Sequence, residues 1–209
     1  MSSLFLDNRS ATTHIKICGL TDGESVDVAV GSGAHAIGFV FVPSSPRFIE
    51  KHEADQLMLQ LPEEVIGVAV LQDAPSLTPF EHWNGWLQLC GKENVSTVES
   101  APCPVIKAIE WNEKLVRYWD GCKNLKAILV DGSTGGLGKT FDVTELAKII
   151  PTLRTPIIIA GGLTPDNVQE VIQQAKPAAV DVSSGIESES GVKDPEKICA
   201  FIQAVVDIS

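Results

Sequence analysis

The stretch that decides the fold is PIIIAGGLTPDNVQEVIQQAKPAAVDVSSG, residues 156–185. It contains a continuous apolar run, Ile157–Ala160, and a second β-rich run, Ala179–Val182, which only Asp181 interrupts. Strands that are buried on both faces of a parallel sheet are mostly apolar in this way. Between the runs, apolar residues recur at helical spacing, with Thr164 as the predicted N-cap and Pro165 at the first helical position. The stretch therefore predicts a strand, a helix and a second, parallel strand.

The same alternation runs through the whole chain. Eight strand patterns alternate with helical patterns, at about 26 residues per unit, which is close to the lower size limit of a (β/α)8 barrel. After the third and fourth strands only irregular or short helical patterns fit, so we expect abbreviated helices there. The predicted strands cover residues 14–18, 36–42, 65–71, 86–89, 105–108, 127–130, 157–160 and 179–182.

These patterns predict the α/β class, with a single-domain (β/α)8 barrel over residues 14–209 and a polar N-terminal extension over residues 1–13. The alternative is an open, doubly wound sheet, which also alternates strands with helices. The GxGxxG signature of that fold is missing after the first strand, and its absence favours the barrel.

Composition restricts the partners of the chain. Lys and Arg number 16 against 27 Asp and Glu, which gives a net charge of −11. Such a chain binds nucleic acid or anionic membranes poorly, and no apolar run approaches the roughly 18 residues of a transmembrane helix. We expect neither partner, and an anionic substrate would need a local positive potential.

The cysteines indicate a cytoplasmic protein. Their number is odd, no CxxC pair exists, and residues 1–13 contain no apolar stretch of signal-peptide length. The four histidines form no metal-ligand spacing with other residues, so we expect no metal. The cysteines are Cys18, Cys90, Cys103, Cys122 and Cys199.

The first strand predicts a reactive thiol. Alternation directs Ile15 and Ile17 to the helix layer, so that Lys16 and Cys18 point into the barrel. A thiol on the same face as an ammonium group is in a setting that favours the thiolate. We expect Cys18 to be functional, and the other four cysteines to be small buried apolar residues.

Two carboxylates are candidates for proton transfer at the carboxyl ends of the strands, where barrels of this kind build their active sites. Asp131 ends an apolar strand and opens a long glycine-rich loop, which favours general acid or base work over helix capping. Asp181 either belongs to the site or only pairs with Lys16. The loop itself is interpreted as a lid, because Ser133 stands where a P-loop requires glycine.

Two neighbouring loops predict a phosphate site. Gly161 and Gly162 precede a helix, and Ser183, Ser184 and Gly185 follow the next strand. Exposed backbone amides and a helix N-terminus favour a dianion, and loops seven and eight commonly bind phosphate in such barrels.

Several motifs together resemble the phosphoribosylanthranilate isomerase family, the Amadori isomerases of tryptophan biosynthesis. The resemblance extends from about residue 14 to 208, although this family usually reads QLHG after strand four, where this chain has Cys90 in place of the histidine. The motifs are KICGLT (16–21), GFVF (38–41), SPR (45–47), GKTFD (138–142), AGGL (160–163) and DVSSGIE (181–187).

The resemblance implies conversion of N-(5-phosphoribosyl)anthranilate to 1-(2-carboxyphenylamino)-1-deoxyribulose 5-phosphate, a phosphorylated small-molecule substrate. It assigns Asp131 as the general acid and Cys18 as the general base, with Arg47 at the anthranilate end. We also expect Lys16 and Asp181 to bind the substrate. No metal or organic cofactor is implied, and we expect a monomer or a weak homodimer. The alternatives are another sugar-phosphate isomerase or lyase on the same barrel, or a non-catalytic binding barrel.

Overall fold

Eight parallel strands pair in chain order and close on themselves. A computed structural model describes residues 12–132 and 143–208, and in it β1 pairs with both β2 and β8, which closes the barrel. The predicted single-domain barrel is confirmed. The strands are β1 His14–Cys18, β2 Ala36–Val40, β3 Ile66–Leu71, β4 Trp86–Leu89, β5 Val105–Glu110, β6 Leu125–Asp131, β7 Ile157–Ala160 and β8 Ala179–Val182.

Helices cover the outside of the barrel unevenly. Only a 3-10 turn at Thr78–Phe80 follows β3, and the helix after β4 has five residues, so the expected abbreviated helices are confirmed. Across residues 12–132 and 143–208 the α-helices are α1 Gly23–Ser32, α2 Lys51–Met58, α3 Val95–Glu99, α4 Glu113–Trp119, α5 Thr144–Ile149, α6 Val168–Ala175 and α7 Pro195–Val206.

The start of α6 differs from the prediction. The helix begins at Val168, with Asn167 rather than Thr164 in the N-cap position. The side chain of Asn167 folds back: its Oδ1 accepts from the Thr164 amide at 2.8 Å, and its Nδ2 donates to the Gly162 carbonyl at 2.9 Å. These bonds stabilise a turn before the helix, so that the residues near Gly162 form a loop.

A short antiparallel hairpin stands between β8 and α7. It consists of β9 Glu187–Glu189 and β10 Val192–Lys193, and the sequence patterns did not predict it. The last helix was predicted correctly: Pro195 is its first residue, and the Asp194 carboxylate accepts from two amides of the first turn. Of the predicted extension, residues 1–11 lie outside the part of the chain that the structure describes.

Two layers of core hold the barrel. Ile15 and Ile17 pack in the layer between strands and helices, whereas Cys18 packs inside the barrel with small residues from neighbouring strands. The predicted alternation of β1 is therefore confirmed. Among the described residues no helix has the length and apolar character needed to cross a membrane.

An aromatic cluster fills the space where the helix after β3 is missing. Phe39 and Phe41 of the β2 segment meet Phe80 and Trp83 edge to face, with ring centroids 5.1–6.1 Å apart. The Trp83 indole also donates to the Gly67 carbonyl at 3.2 Å, which ties the loop to β3. Large apolar area and one satisfied polar group together replace the packing of a helix.

Trp83→Ala should lower the free energy of unfolding by about 3–5 kcal/mol, because it removes a large buried side chain and leaves a cavity. Urea unfolding followed by circular dichroism measures the change. Leu59→Ala is the matched control: Leu59 is 88% exposed, and its truncation should change stability by no more than about 0.5 kcal/mol. Equal effects of the two substitutions would contradict the role given to the cluster.

Candidate active site

A cavity of about 220 Å³ opens at the carboxyl ends of β6, β7 and β8. It unites eight of the ten predicted site residues, while Lys16 and Cys18 do not line it. Its walls also include Ala160, Leu163 and Val182. The predicted residues in its lining are Arg47, Asp131, Gly161, Gly162, Asp181, Ser183, Ser184 and Gly185.

Backbone geometry explains the glycines of this cavity. Gly161 and Gly162 have φ angles of +86° and +68°, a left-handed conformation that is open to glycine and costly for other residues. Gly185 lies directly against the preceding loop, since a Cβ there would stand 1.8 Å from the Leu163 carbonyl oxygen. The loops after β7 and β8 therefore touch through their backbones and form one continuous wall.

A buried ion pair lies under the cavity. Lys16 Nζ donates to Asp181 Oδ1 at 2.7 Å, and the Lys16 side chain has no exposed area. Burial by itself lowers the pKa of Lys16, but the Asp181 carboxylate and the Cys18 thiol together raise it above its usual range. The pairing that the sequence left open for Asp181 is present, and the same residue also lines the cavity.

Gly38 of β2 leaves space for the side chains of Lys16 and Cys18. A Cβ on Gly38 would lie 2.8 Å from Cys18 Sγ and 3.1 Å from Lys16 Nζ. The thiol and the ammonium group therefore occupy the space that a side chain at position 38 would fill. Gly38 pairs with Cys18 in the strand register. The GFVF motif thus supplies the space in which Lys16 and Cys18 lie together.

The thiolate expected at Cys18 needs a correction. Burial raises the pKa of the Cys18 thiol, and the nearby Asp181 carboxylate raises it further. Lys16 and Lys193 act in the opposite direction but do not outweigh burial, so the pKa lies above its ordinary value. The sequence placed the ammonium group correctly, yet it did not include the cost of desolvating the thiolate.

Asp131 is the last residue of β6, at the point where the strand reaches the cavity. It pairs in register with Glu110 of β5 and Ala160 of β7. The loop that follows, residues 133–142, lies outside the described part of the chain. The predicted lid and the GKTFD motif both fall in that range.

Arg47 reaches the cavity from the loop after β2, and its guanidinium is fixed. Nε and Nη2 donate to the two oxygens of Glu187, at 2.6 and 2.8 Å. Its aliphatic part crosses Gly19, where a Cβ would stand 2.7 Å from Arg47 Cδ. Such a forked contact orients the remaining N–H groups of the arginine.

Cys90, which stands where the resembled family usually has histidine, is partly buried beside Gln88. The Gln88 Nε2 donates to Cys90 Sγ at 3.3 Å, and burial raises the pKa of Cys90 to about 11. The side chain therefore holds its proton at neutral pH and supplies no charge to the site.

The remaining cysteines were expected to be buried. Cys103 is buried, whereas Cys122 is half-buried and Cys199 is exposed, so the prediction of burial fails for Cys199.

Sequence reasoning missed Lys193 and gave no role to Glu187. Lys193 Nζ donates to Glu187 Oε1 at 2.8 Å, and both side chains are almost fully buried. The available signal was weak: a lysine just before the Asp-Pro that starts the last helix.

Among the described residues, no three or more His, Cys, Asp or Glu side chains form a group that could hold a metal ion.

A larger cavity, of about 570 Å³, lies at the opposite end of the barrel. Its lining includes His14, Ile66 and Trp86, the first residues of β1, β3 and β4. Barrel enzymes place their chemistry at the carboxyl ends of the strands. We therefore assign the site to the smaller cavity, which also holds the predicted carboxylates and glycine loops.

Comparison with known proteins agrees with this assignment. Residues 15–204 match the family model for N-(5'phosphoribosyl)anthranilate (PRA) isomerase. An N-(5'-phosphoribosyl)anthranilate isomerase from Dechloromonas aromatica is 36% identical over 200 residues, which cover 92% of this chain and 96% of that protein.

Two solved structures are similar over the whole barrel. A phosphoribosyl anthranilate isomerase in complex with reduced 1-(o-carboxyphenylamino)-1-deoxyribulose 5-phosphate is 32% identical, with a TM-score of 0.80 over 94% of this chain and 100% of that chain. A dimeric isomerase from Thermotoga maritima, solved as monomers, is 31% identical, with the same TM-score and coverage. The chain therefore belongs to the N-(5'-phosphoribosyl)anthranilate isomerase family.

Proposed function

We propose that this chain converts N-(5'-phosphoribosyl)anthranilate to 1-(2-carboxyphenylamino)-1-deoxyribulose 5-phosphate in tryptophan biosynthesis. The observation that carries the proposal is a single cavity that joins Asp131 and Arg47 to two glycine-containing loops, in a chain of this family. That cavity presents a proton donor, a cation and an anion site to one small molecule.

The phosphate of the substrate binds to the loops after β7 and β8. The left-handed glycines Gly161 and Gly162 and the turn at Ser183, Ser184 and Gly185 form one wall of the cavity. Backbone amides favour phosphate in such a wall, and they do so without the high positive charge that this acidic chain lacks.

The carboxylate of the anthranilate ring binds Arg47. Two of the guanidinium nitrogens are held by Glu187, so the arginine is oriented before substrate arrives. The N–H groups that Glu187 leaves available can donate to a second carboxylate. This arrangement supports the anthranilate-binding role that the resemblance implies for Arg47.

Asp131 and Cys18 carry the proton transfers. Asp131 gives a proton to the ribose ring oxygen, the C1–O bond breaks, and the aryl nitrogen's electron pair forms the iminium. Cys18, as thiolate, then removes the C2 proton, and the electrons of that C–H bond neutralise the iminium to give an enolamine, which relaxes to the ketone. A thiol of raised pKa is a strong base once ionised, and the Lys16 ammonium and the cationic iminium both favour its ionisation.

Asp181 and Lys16 act together in this scheme. The Asp181 carboxylate lines the cavity and remains the candidate for binding the substrate's hydroxyl groups. Lys16 has no exposed area, so it acts through Asp181 and Cys18. The substrate's own aryl amine accepts and returns the electron pair, and the scheme therefore calls for no cofactor.

We infer a cytoplasmic enzyme, which is consistent with its five free cysteines.

The relative from Thermotoga maritima is described as dimeric. For this chain a monomer or a weak homodimer remains the proposal, and sedimentation at several concentrations distinguishes the two.

The direct test is loss of the fluorescence of freshly made N-(5'-phosphoribosyl)anthranilate on addition of the purified protein. Turnover of that substrate supports the proposal. Turnover of other aldose phosphates in its place would favour a different isomerase or lyase, and binding without turnover would favour a non-catalytic barrel.

Asp131→Asn should lower kcat by about 10²–10⁴-fold, because the amide cannot give the ring oxygen a proton. Steady-state assays measure kcat, and circular dichroism checks that the barrel is intact. Asp27→Asn, at an exposed position of α1, is the matched control and should leave kcat unchanged. An Asp131 variant that keeps more than half of the wild-type kcat would remove Asp131 from this role.

Gly185→Ala should weaken the binding of inorganic phosphate by at least about tenfold, because the new Cβ forces apart the two loops that form the phosphate wall. Isothermal titration calorimetry measures the affinity. Gly31→Ala is the control, since a Cβ at Gly31 meets nothing within 4 Å. Unchanged phosphate affinity in a folded Gly185 variant would mean that the anion binds elsewhere.

A further inference from the structure

The β9–β10 hairpin brings a buried lysine behind the arginine of the site. We propose that Lys193 is a positioning residue: it offsets the charge of Glu187, so that Arg47 still acts as a cation towards the substrate, and it holds Ser183 of the phosphate loop. This inference rests on the proposed function, which it extends to a residue that does not line the cavity.

Glu187 is the centre of the arrangement. Its carboxylate accepts four hydrogen bonds, two from Arg47 at 2.6 and 2.8 Å, one from Lys193 at 2.8 Å and one from the Gly191 amide at 3.2 Å. Burial by itself raises the pKa of Glu187. The bonds to Arg47 and Lys193 lower that pKa by a larger amount, so the carboxyl group is ionised at neutral pH. One negative charge is thus shared between two cations.

The charges of this triad, Arg47, Glu187 and Lys193, add to +1. Without Lys193, the carboxylate would neutralise Arg47 and the triad would be neutral. Both Glu187 and Lys193 have side chains that are 5% exposed or less, so water and salt screen their charges weakly. In a chain of net charge −11, one unit of buried positive charge beside the cavity favours a substrate that carries both a phosphate and a carboxylate.

The same ammonium group also reaches the phosphate loop. Lys193 Nζ donates to the Ser183 carbonyl oxygen at 2.9 Å and to Ser183 Oγ at 3.3 Å. With Glu187, these partners use all three donors of the ammonium group. Lys193 therefore connects the two ends of the cavity, since Ser183 lines the phosphate end and Arg47 the other.

A contact without charge fixes the hairpin in place. Gly191 has a φ of +86°, and a Cβ there would lie 2.4 Å from the carbonyl oxygen of Pro46, the residue before Arg47. The tip of the hairpin thus packs on the loop that carries the arginine. This contact does not involve Lys193, so the charge of Lys193 can be removed while the hairpin tip still packs on Pro46.

The experiment compares Lys193→Met, Glu187→Gln and the double variant with the wild type. Lys193→Met should raise KM for N-(5'-phosphoribosyl)anthranilate at least about tenfold, with kcat changed by less than about threefold. The double variant returns the triad to +1 but still lacks the bonds to Ser183, so its kcat/KM should lie clearly above that of Lys193→Met without reaching the wild-type value. A residue with only a structural role predicts the reverse, a double variant worse than either single one.

Lys197→Met is the matched control. Its exposed ammonium group donates to the Glu187 backbone carbonyl at 2.7 Å, so this variant removes a positive charge from the same neighbourhood without removing a bond to the Glu187 carboxylate. Its KM should stay within about twofold of the wild type. If Lys193→Met does not fold, the double variant is compared with the wild type directly. A KM raised more than about tenfold in a folded double variant overturns the proposal that Lys193 acts through its charge.

The affinity for inorganic phosphate, measured by calorimetry, separates this proposal from the proposed function. If the wild type does not turn over the substrate, the proposed function fails, and Lys193 is judged on phosphate alone. Weaker phosphate binding in Lys193→Met that recovers in the double variant supports the proposal. Equal phosphate affinity in the wild type and Lys193→Met, or a KM within twofold of the wild type, overturns it.

Discussion

The ion pair between Lys16 and Asp181 is the interaction on which the rest of the site depends. The two residues face each other in the register of β1 and β8, so their 2.7 Å bond joins the first strand of the barrel to the last. A buried charge without a partner is very costly, and loss of one member of such a pair destabilises a protein by about 3–5 kcal/mol. The pair thus fixes Asp181 at the cavity and Cys18 beside Lys16.

The barrel distributes the remaining chemistry over separate loops. Asp131 ends β6, the two loops with Gly162 and Gly185 follow β7 and β8, and Arg47 comes from the loop after β2. Two glycines, which have no side chain, allow neighbouring groups to come close. Gly38 accommodates the Cys18 thiol and the Lys16 ammonium group, and Gly185 lets the loops after β7 and β8 touch. A second group of buried charges, around Glu187, orients Arg47 from outside the cavity.

The sequence predicts the parts of this structure that depend on local pattern. Short β-rich runs predicted all eight strands, the weak periodicity after the third and fourth strands predicted short helices, and alternation in β1 placed Lys16 and Cys18 inside. The hairpin could not be predicted, because β9 and β10 are only three and two residues long and are stabilised by contacts with the loop before Arg47. The raised pKa of Cys18 depends on burial in three dimensions, which strand alternation does not measure.

Burial, opposed by Lys16, sets the proton affinity of the Cys18 thiol. The most direct measurement is the pH dependence of alkylation at Cys18 by iodoacetamide in the wild-type protein, with labelling read at that residue by peptide mapping. Thiolate reacts and thiol does not, so the rate follows ionisation. We expect a midpoint above that of an unperturbed cysteine, whereas a midpoint below it would show that the ammonium group outweighs burial.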